Sequence, residues 1–464
     1  MAPGRIVPGQ EGSDMHQRTA GRVTVAVVGA GPKGIAIAAK RAALARIGWN
    51  VPDLLLIDRE GVASNWSGAT GYTDGRQRLS TPPEKDIGFP YAHNWGAASE
   101  RVNHEVGRWS WHSYLVHHGG FADWVDRGRP RPTHRQWSQY LRWVAAQILV
   151  EPIRADVDGI DLAGGRWRLA ARTPAGDRLD FECDGLVLTG PGRPARLPGQ
   201  PDGHPRILDG RTFWTSQDAL GGAGPVEVCV IGNGETAGSI TTALLNVLPE
   251  GSVIELVSDH GVLYTRGESF TENRLYSDPA AAGWQRLAER HRREFLKRTD
   301  RGVFSVQVED VLNRAEAVRT VAGRVTHLEP VEAKVVVEVD YEQERERIAF
   351  DWVVVAVGFD PLGFWPLLGE RARAALADAA GGPVGRLPAR TALERAIGDD
   401  LAVTGLTPRL HVPVLAGVAQ GPGFPNLSCL GLLADRVLGA YAPPWAGVRP
   451  TTTDQAAVPG HGHT

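Results

Sequence analysis

Two glycine fingerprints, about two hundred residues apart, constrain this chain more than anything else in it. Gly29-Ala30-Gly31-Pro32-Lys33-Gly34 follows the apolar run Val23–Val28, and Gly232-Asn233-Gly234-Glu235-Thr236-Ala237 follows Val226–Ile231. A buried strand, a glycine turn and a helix together bring a dinucleotide pyrophosphate to a helix N-terminus. The first glycine makes the turn, the second lets the backbone approach the phosphates, and the third small residue lets helix pack on strand. One such site implies a bound nucleotide; two imply electrons passing between two nucleotides.

At 464 residues the chain is too long for one ordinary core, so two domains are expected. A formal charge of -3 gives no electrostatic case for nucleic acid or an anionic membrane, and no apolar run is long enough for membrane insertion. Met1–Gly21 is polar and lacks the apolar segment of a signal peptide, so it reads as a disordered tail. So does the stretch 442–464, whose His461 and His463 read as solvated. Cys183, Cys229 and Cys429 form no Cys-x-x-Cys pair, which points to a reduced, cytoplasmic protein without a dithiol centre.

Ile35–Ile47 reads as an Ala-rich helix and Leu54–Ile57 as a buried strand ending at Asp58, where an acid commonly holds the adenosine ribose. Residues 66–143 look irregular and rich in Trp, Gly, Pro and His, as a substrate-side insertion would be. Helical periodicity resumes at Arg135–Ile148, and Trp167–Phe181 reads as a hairpin. Asp184–Pro191 and Asp351–Asp360 repeat a strand-then-glycine pattern, read as the places where the chain leaves one domain and returns to it. The expectation is an α/β fold of two Rossmann-like dinucleotide-binding domains. A discontinuous first domain (22–202 and 327–441) encloses a second at 203–326.

The first domain suits a resident FAD on Gly29, Gly31, Gly34 and Asp58, with Trp66 and Gln77 from the irregular segment. The inserted domain suits an exchanging nicotinamide nucleotide on Gly232, Gly234 and Ala237. Its second strand, Val253–Val257, is followed by Ser258 where an NAD site often has its acid, and Arg266 lies beyond. That pairing favours the 2′-phosphate of NADPH, although Asp259 argues against it. Without a cysteine pair the chain is no disulfide reductase. Leu197–His204 lacks the Phe, the His spacing and the Trp of the Phe-x-Gly-x-x-x-His-x-x-x-Trp signature of Baeyer–Villiger flavoenzymes. No partner set around His112, His117 and His118 suggests a metal. An NADPH oxidase or a catalytically silent nucleotide-binding regulator stays open on these motifs.

Five longer stretches carry more: Gly71–Tyr91, Pro132–Val144, Thr265–Pro279, Arg298–Ser305 and Gln420–Leu433. With the fingerprints, they resemble the flavin-dependent N-hydroxylating monooxygenases, and within them the L-lysine N6-monooxygenases of mycobactin- and nocobactin-type siderophore pathways. The resemblance spans nearly everything from Arg22 to Tyr441. It implies FAD, NADPH and dioxygen, a C4a-hydroperoxyflavin as the oxygen donor, and free L-lysine as the amine hydroxylated. Ornithine or a diamine is the alternative substrate, and a homo-oligomer is expected. By the same resemblance Lys85, Asn273, Asp300, Leu427 and Ser428 are the substrate-side residues. Thr299-Asp300-Arg301 stands where ornithine-acting relatives have Thr-Asn-Tyr. The flavin carries the oxygen chemistry, so no side chain is assigned as a catalytic acid or base.

Overall fold

The computed structural model describes residues 23–442 apart from 223, 342, 343 and 384; both tails, with His461 and His463, lie outside the described residues. The first sheet runs edge to edge as Arg409–His411, Gly185–Leu188, Thr24–Val28, Asp53–Asp58 and Ile153–Arg154, every pairing parallel. Val25, Ala26 and Val27 are wholly buried because both faces of a parallel sheet are covered. The helix Pro32–Arg46 covers one face, and the last described helix, Leu430–Gly439, packs on it. Small residues at Ala36, Ala38 and Ala39 let the two helices close together. Lys40 and Asp435 meet at 2.6 Å across that seam, and Trp95 Nε1 donates to the same carboxylate at 2.8 Å.

The stretch 66–143 is more regular than its sequence suggested. Ser99–Gly107, Trp111–His117 and Phe121–Asp126 are helices, ahead of His134–Gln147. They are short: Ser99–Gly107 buries Val102 and Val106, Phe121–Asp126 buries none of its side chains, and the aromatic packing comes from Trp111–His117 and His134–Gln147. Trp109, Trp111, Trp137 and Tyr140 are buried there, and His117 and His118 join the same ring cluster. The hairpin Arg166–Arg172/Arg178–Cys183 is present, widened to three antiparallel strands by Asp156–Ala163.

The second sheet orders Val318–Ala322, Val253–Ser258, Glu227–Ile231, Trp352–Val355 and Ile207–Asp209, again all parallel. This corrects the return point expected at residue 327. Thr326 and His327 lie inside the strand Arg324–Val331, which starts an antiparallel three-strand meander ending at Phe350. Valines of the meander share a core with Cys229, Ile231 and Val257 of the second sheet. Trp352–Val355 completes that sheet instead of rejoining the first. The chain crosses back at the ribbon formed by Phe359–Asp360 and Arg193–Pro194, so both crossings lie side by side.

An excursion leaves the second sheet after Ser258 and returns at the helix Val306–Arg314. It carries the helices Phe270–Ser277 and Glu289–Thr299 onto the first domain. There Leu275, Trp284 and Leu296 enclose Val418, whose carbonyl accepts from Trp284 Nε1 at 3.1 Å and Arg292 Nη1 at 2.9 Å. Among the described residues no helix is long and apolar enough to cross a membrane.

Candidate active site

Each fingerprint residue occupies the position its chemistry demands. Gly29 has φ +109°, and a Cβ on it would strike the Thr189 hydroxyl, while a Cβ on Gly34 would strike the Gly29 carbonyl. Gly31, by contrast, has nothing within 4 Å of such a Cβ. Gly31 caps the helix without a side-chain bond and Pro32 opens it, so no side chain occupies the helix N-terminus, where an anion is favoured. In the second domain Gly232, at φ +136°, abuts the Ala356 carbonyl, Gly234 caps its helix without a side chain, and Ala237 is wholly buried. Asp58 accepts from the N–H groups of Ala30, Glu60 and Gly61 at 2.8, 2.9 and 2.9 Å, so it holds the fingerprint turn itself. Trp66 and Gln77 sit together on the irregular segment. The Trp66 ring meets His134 edge-on at 4.8 Å, and His134 and Gln77 both reach the Thr73 hydroxyl.

Between the domains a small cavity of about 40 Å³ is lined by Ser80, Lys85, Arg266, Asn273, Tyr276 and Ser428, among others. That is room for little more than a water. The sequence had placed Lys85, Asn273 and Ser428 at one site, and the structure brings them together from three distant segments. The Lys85 ammonium donates to Asn273 Oδ1 at 2.7 Å, and Asn273 Nδ2 donates to the Glu268 carbonyl at 2.9 Å. A reciprocal capping box of Ser269 and Glu272 starts the helix that presents Asn273. Burial, then the nearby Arg266 charge, pushes the Lys85 ammonium down to about 8. Its neighbour Asp86 turns inward and accepts from Trp111 N, Gly88 N and the Tyr91 hydroxyl; burial pushes that carboxyl up to about 6. Leu427 packs on the first core, and Ser428 N donates to Asn426 Oδ1 at 2.9 Å.

The structure corrects Arg266. It does not line the cleft of the second fingerprint but faces the small cavity, 3.5 Å from both Ser80 Oγ and Asp300 Oδ1, with Tyr276 beneath it. The backbone at Thr265 pairs with Phe304, which turns the side chain away from Ser258. Asp300 touches both places: it lines the cleft, and Asn426 Nδ2 donates to it at 3.1 Å. The cleft, about 700 Å³, runs from Gly232–Thr236 to Ser258, and Arg301, Arg324 and Arg390 line it together with His260. Sequence reasoning missed these. Arg324 reaches Ser258 only through the pairing of neighbouring strands, and Arg390 comes from the other domain. Asn426 and Tyr276, both within recognised stretches, were also missed.

Two Rossmann-like domains, the second inserted into the first, with a polar cavity lined by residues of both, define the architecture of a two-dinucleotide oxidoreductase. Residues 104–361 match the family described as L-lysine 6-monooxygenase/L-ornithine 5-monooxygenase. The chain is 43% identical to the L-lysine N6-monooxygenase MbtG of Mycobacterium sp. (strain MCS), over 90% of this chain and 95% of that protein. It is 42% identical to MbtG of Mycobacterium tuberculosis (strain ATCC 25618 / H37Rv), over 90% and 94%. Among solved structures it resembles the lysine monooxygenase NbtG of Nocardia farcinica. That match has a TM-score of 0.78 and 40% identity, covering 89% of this chain and 98% of that one. The ornithine N-hydroxylase KtzI of Kutzneria sp. 744, 18% identical with a TM-score of 0.71, shares the fold. This chain belongs to the L-lysine 6-monooxygenase/L-ornithine 5-monooxygenase family.

Proposed function

We propose that this protein hydroxylates the side-chain amine of free L-lysine, with FAD on the first fingerprint, NADPH on the second and dioxygen as co-substrate. The product is a hydroxylamine destined for a hydroxamate siderophore. The observation that carries this reading is the cavity between the domains, which presents two cations, Lys85 and Arg266, beside the amide of Asn273. When bound, FAD supplies the activated oxygen and NADPH the electrons. The protein's share is binding, orientation and exclusion of water.

Lys85 and Arg266 are placed to receive a substrate carboxylate, and Asn273 Oδ1, released from Lys85, to accept from the α-ammonium. Opening the 2.7 Å Lys85–Asn273 contact is therefore part of binding. Asp300 stays oriented by Arg266 and Asn426 and fixes the far side of the site. A lysine side-chain amine, with a pKa of about 10.4, is protonated at pH 7 and must become neutral to act as a nucleophile. Desolvation beside Tyr276, Leu427 and the buried loop favours that neutral form without a dedicated base. We assign the first domain to the segments before and after the paired crossings at Arg193–Pro194 and Phe359–Asp360, and the second to the chain between them. Three buried free cysteines suit a reducing cytoplasm. A homo-oligomer is the assembly we expect, checked by light scattering.

The test is a product assay on FAD-loaded protein with NADPH, comparing lysine, ornithine and cadaverine. Lysine should give a hydroxylamine. Cadaverine, lacking the carboxylate, should give little, and ornithine, one methylene shorter, should be discriminated by about 10- to 200-fold. Peroxide without hydroxylamine from any amine would favour an NADPH oxidase. Failure to bind either nucleotide would favour a catalytically silent regulator.

A further inference from the structure

The cleft of the second fingerprint is lined by arginines from both domains. Arg301 follows the helix Glu289–Thr299 of the excursion. Arg390 opens the helix Arg390–Ala396, whose Leu393 is buried in the core of the first domain. Both approach one carboxylate oxygen: Arg390 Nε lies 2.8 Å and Arg301 Nη2 3.7 Å from Glu394 Oε1. Arg293 Nη1 takes the other oxygen at 2.9 Å, and Glu289 in turn holds Arg293 at 2.8 Å and Arg395 at 2.9 Å.

Four guanidiniums therefore share two carboxylates, and Glu394, with a side chain only 2% exposed, cannot neutralise three of them. Burial pushes the Glu394 carboxyl up, but the hydrogen bonds from Arg293 and Arg390 outweigh it and hold the group below its ordinary value. Burial, and the neighbouring Arg390 charge, push Arg301 down. Arg301 and Arg390 are half-exposed toward the cleft, where Asp300 lies beside Arg301, while Arg293 and Glu289 already staple the helices together. The position along the cleft is also fixed. Gly302 packs against the Asn233 side chain of the fingerprint turn, where a Cβ would come within 2.9 Å of Oδ1. Arg301 therefore sits at the pyrophosphate end, whereas Ser258, His260 and Arg324 mark the adenosine-ribose end.

We propose that Arg301 and Arg390 form an interdomain clamp on the pyrophosphate of the nicotinamide dinucleotide, with Glu394 as the positioning residue that holds both forks in place. This rests on the reading of the second fingerprint as the NADPH site. Because Arg390 belongs to the first domain, a bound dinucleotide ties the two domains together, and its departure requires the clamp to part. The clamp thus sets how long the oxidised nucleotide stays.

Calorimetric titration of the FAD-loaded protein with NADP+ and with NAD+, at two salt concentrations, tests this. Arg390→Gln and Arg301→Gln should each weaken both nucleotides by about tenfold or more, flatten the salt dependence and speed NADP+ release, with FAD content unchanged. Arg390→Lys should restore part of the affinity. Glu394→Gln leaves the two forks ungathered and should weaken NADP+ and NAD+ alike, by a smaller factor than either arginine variant and with the salt dependence kept; a purely structural network would lower the melting temperature and leave both Kd values unchanged. Unchanged Kd values in both glutamine variants, or loss confined to NADP+ with NAD+ unaffected, would overturn the pyrophosphate clamp. If the unaltered protein bound no NADP+, the NADPH reading itself would fall.

Discussion

Lys85 is the residue to which we assign the substrate carboxylate. It leaves a Pro-Pro turn, is partly buried and donates its ammonium to Asn273 Oδ1. Replacing it with Met should raise the KM for lysine by about 30-fold or more, the usual cost of a lost charge-assisted bond. FAD content and lysine-free NADPH oxidation should be unchanged. Its ionisation gives a second test. With burial and Arg266 holding it at about 8, the ammonium is present below that pH and is lost above it. Norleucine, which has the carboxylate but no side-chain amine, should therefore inhibit less well as the pH rises through about 8. Lys85→Arg should flatten that dependence. Away from the Lys85 cavity, Arg324 lines the second cleft with Ser258, and we assign it the 2′-phosphate role expected of Arg266. Arg324→Ala should raise the KM for NADPH about tenfold and leave NADH nearly untouched, whereas a similar loss for both cofactors would remove the 2′-phosphate assignment.

At the scale of elements, the fingerprints separate folding from binding. Gly29 must be glycine for the backbone: its φ of +109° and the Thr189 hydroxyl leave no place for a side chain, so Gly29→Ala should lower the melting temperature markedly. Gly31 has ordinary φ and open space around it, so Gly31→Val should fold normally and emerge without FAD, checked by visible absorbance against a thermal melt. These elements were legible because strand, turn and helix lie within one short stretch of sequence. The strand Trp352–Val355 was misread for the opposite reason. Its Val-Gly ending resembles that of Gly185–Leu188, but only pairing with Glu227–Ile231, far away in sequence, decides which sheet it joins. The helices of residues 99–126 were hidden because they are short and bury few apolar side chains: Val102 and Val106 in the first, Trp111 in the second and none in the third. Lys85, Asn273 and Ser428 came from the resemblance. No periodicity or spacing would have united three segments so far apart, and the signal that was available, the Ser269–Glu272 capping box, speaks only of where a helix starts.

For the whole molecule, the excursion between Ser258 and Val306 packs on the first domain and carries Arg266, Asn273, Asp300 and Arg301, the residues we assign to substrate and nucleotide. The first domain in turn depends on buried neutral histidines. His411 is wholly buried between the Asp400 carbonyl and the Tyr441 hydroxyl, and burial pushes it down to about 4; burial does the same to His134. Because these folded values lie below the ordinary 6.5, their contribution is complete above pH 6.5 and is lost as the pH falls towards 4. The loss is on the order of 3 kcal/mol for His411 alone. Denaturant titrations at pH 7 and pH 4.5 should show it, and equal stabilities would contradict it. The central claim concerns where the oxygen goes, and the ratio of hydroxylamine formed to NADPH consumed measures that most directly. With lysine on FAD-loaded protein, the ratio should approach one and peroxide should stay low. NADPH consumption that yields peroxide and no hydroxylamine, with or without lysine, would contradict the account.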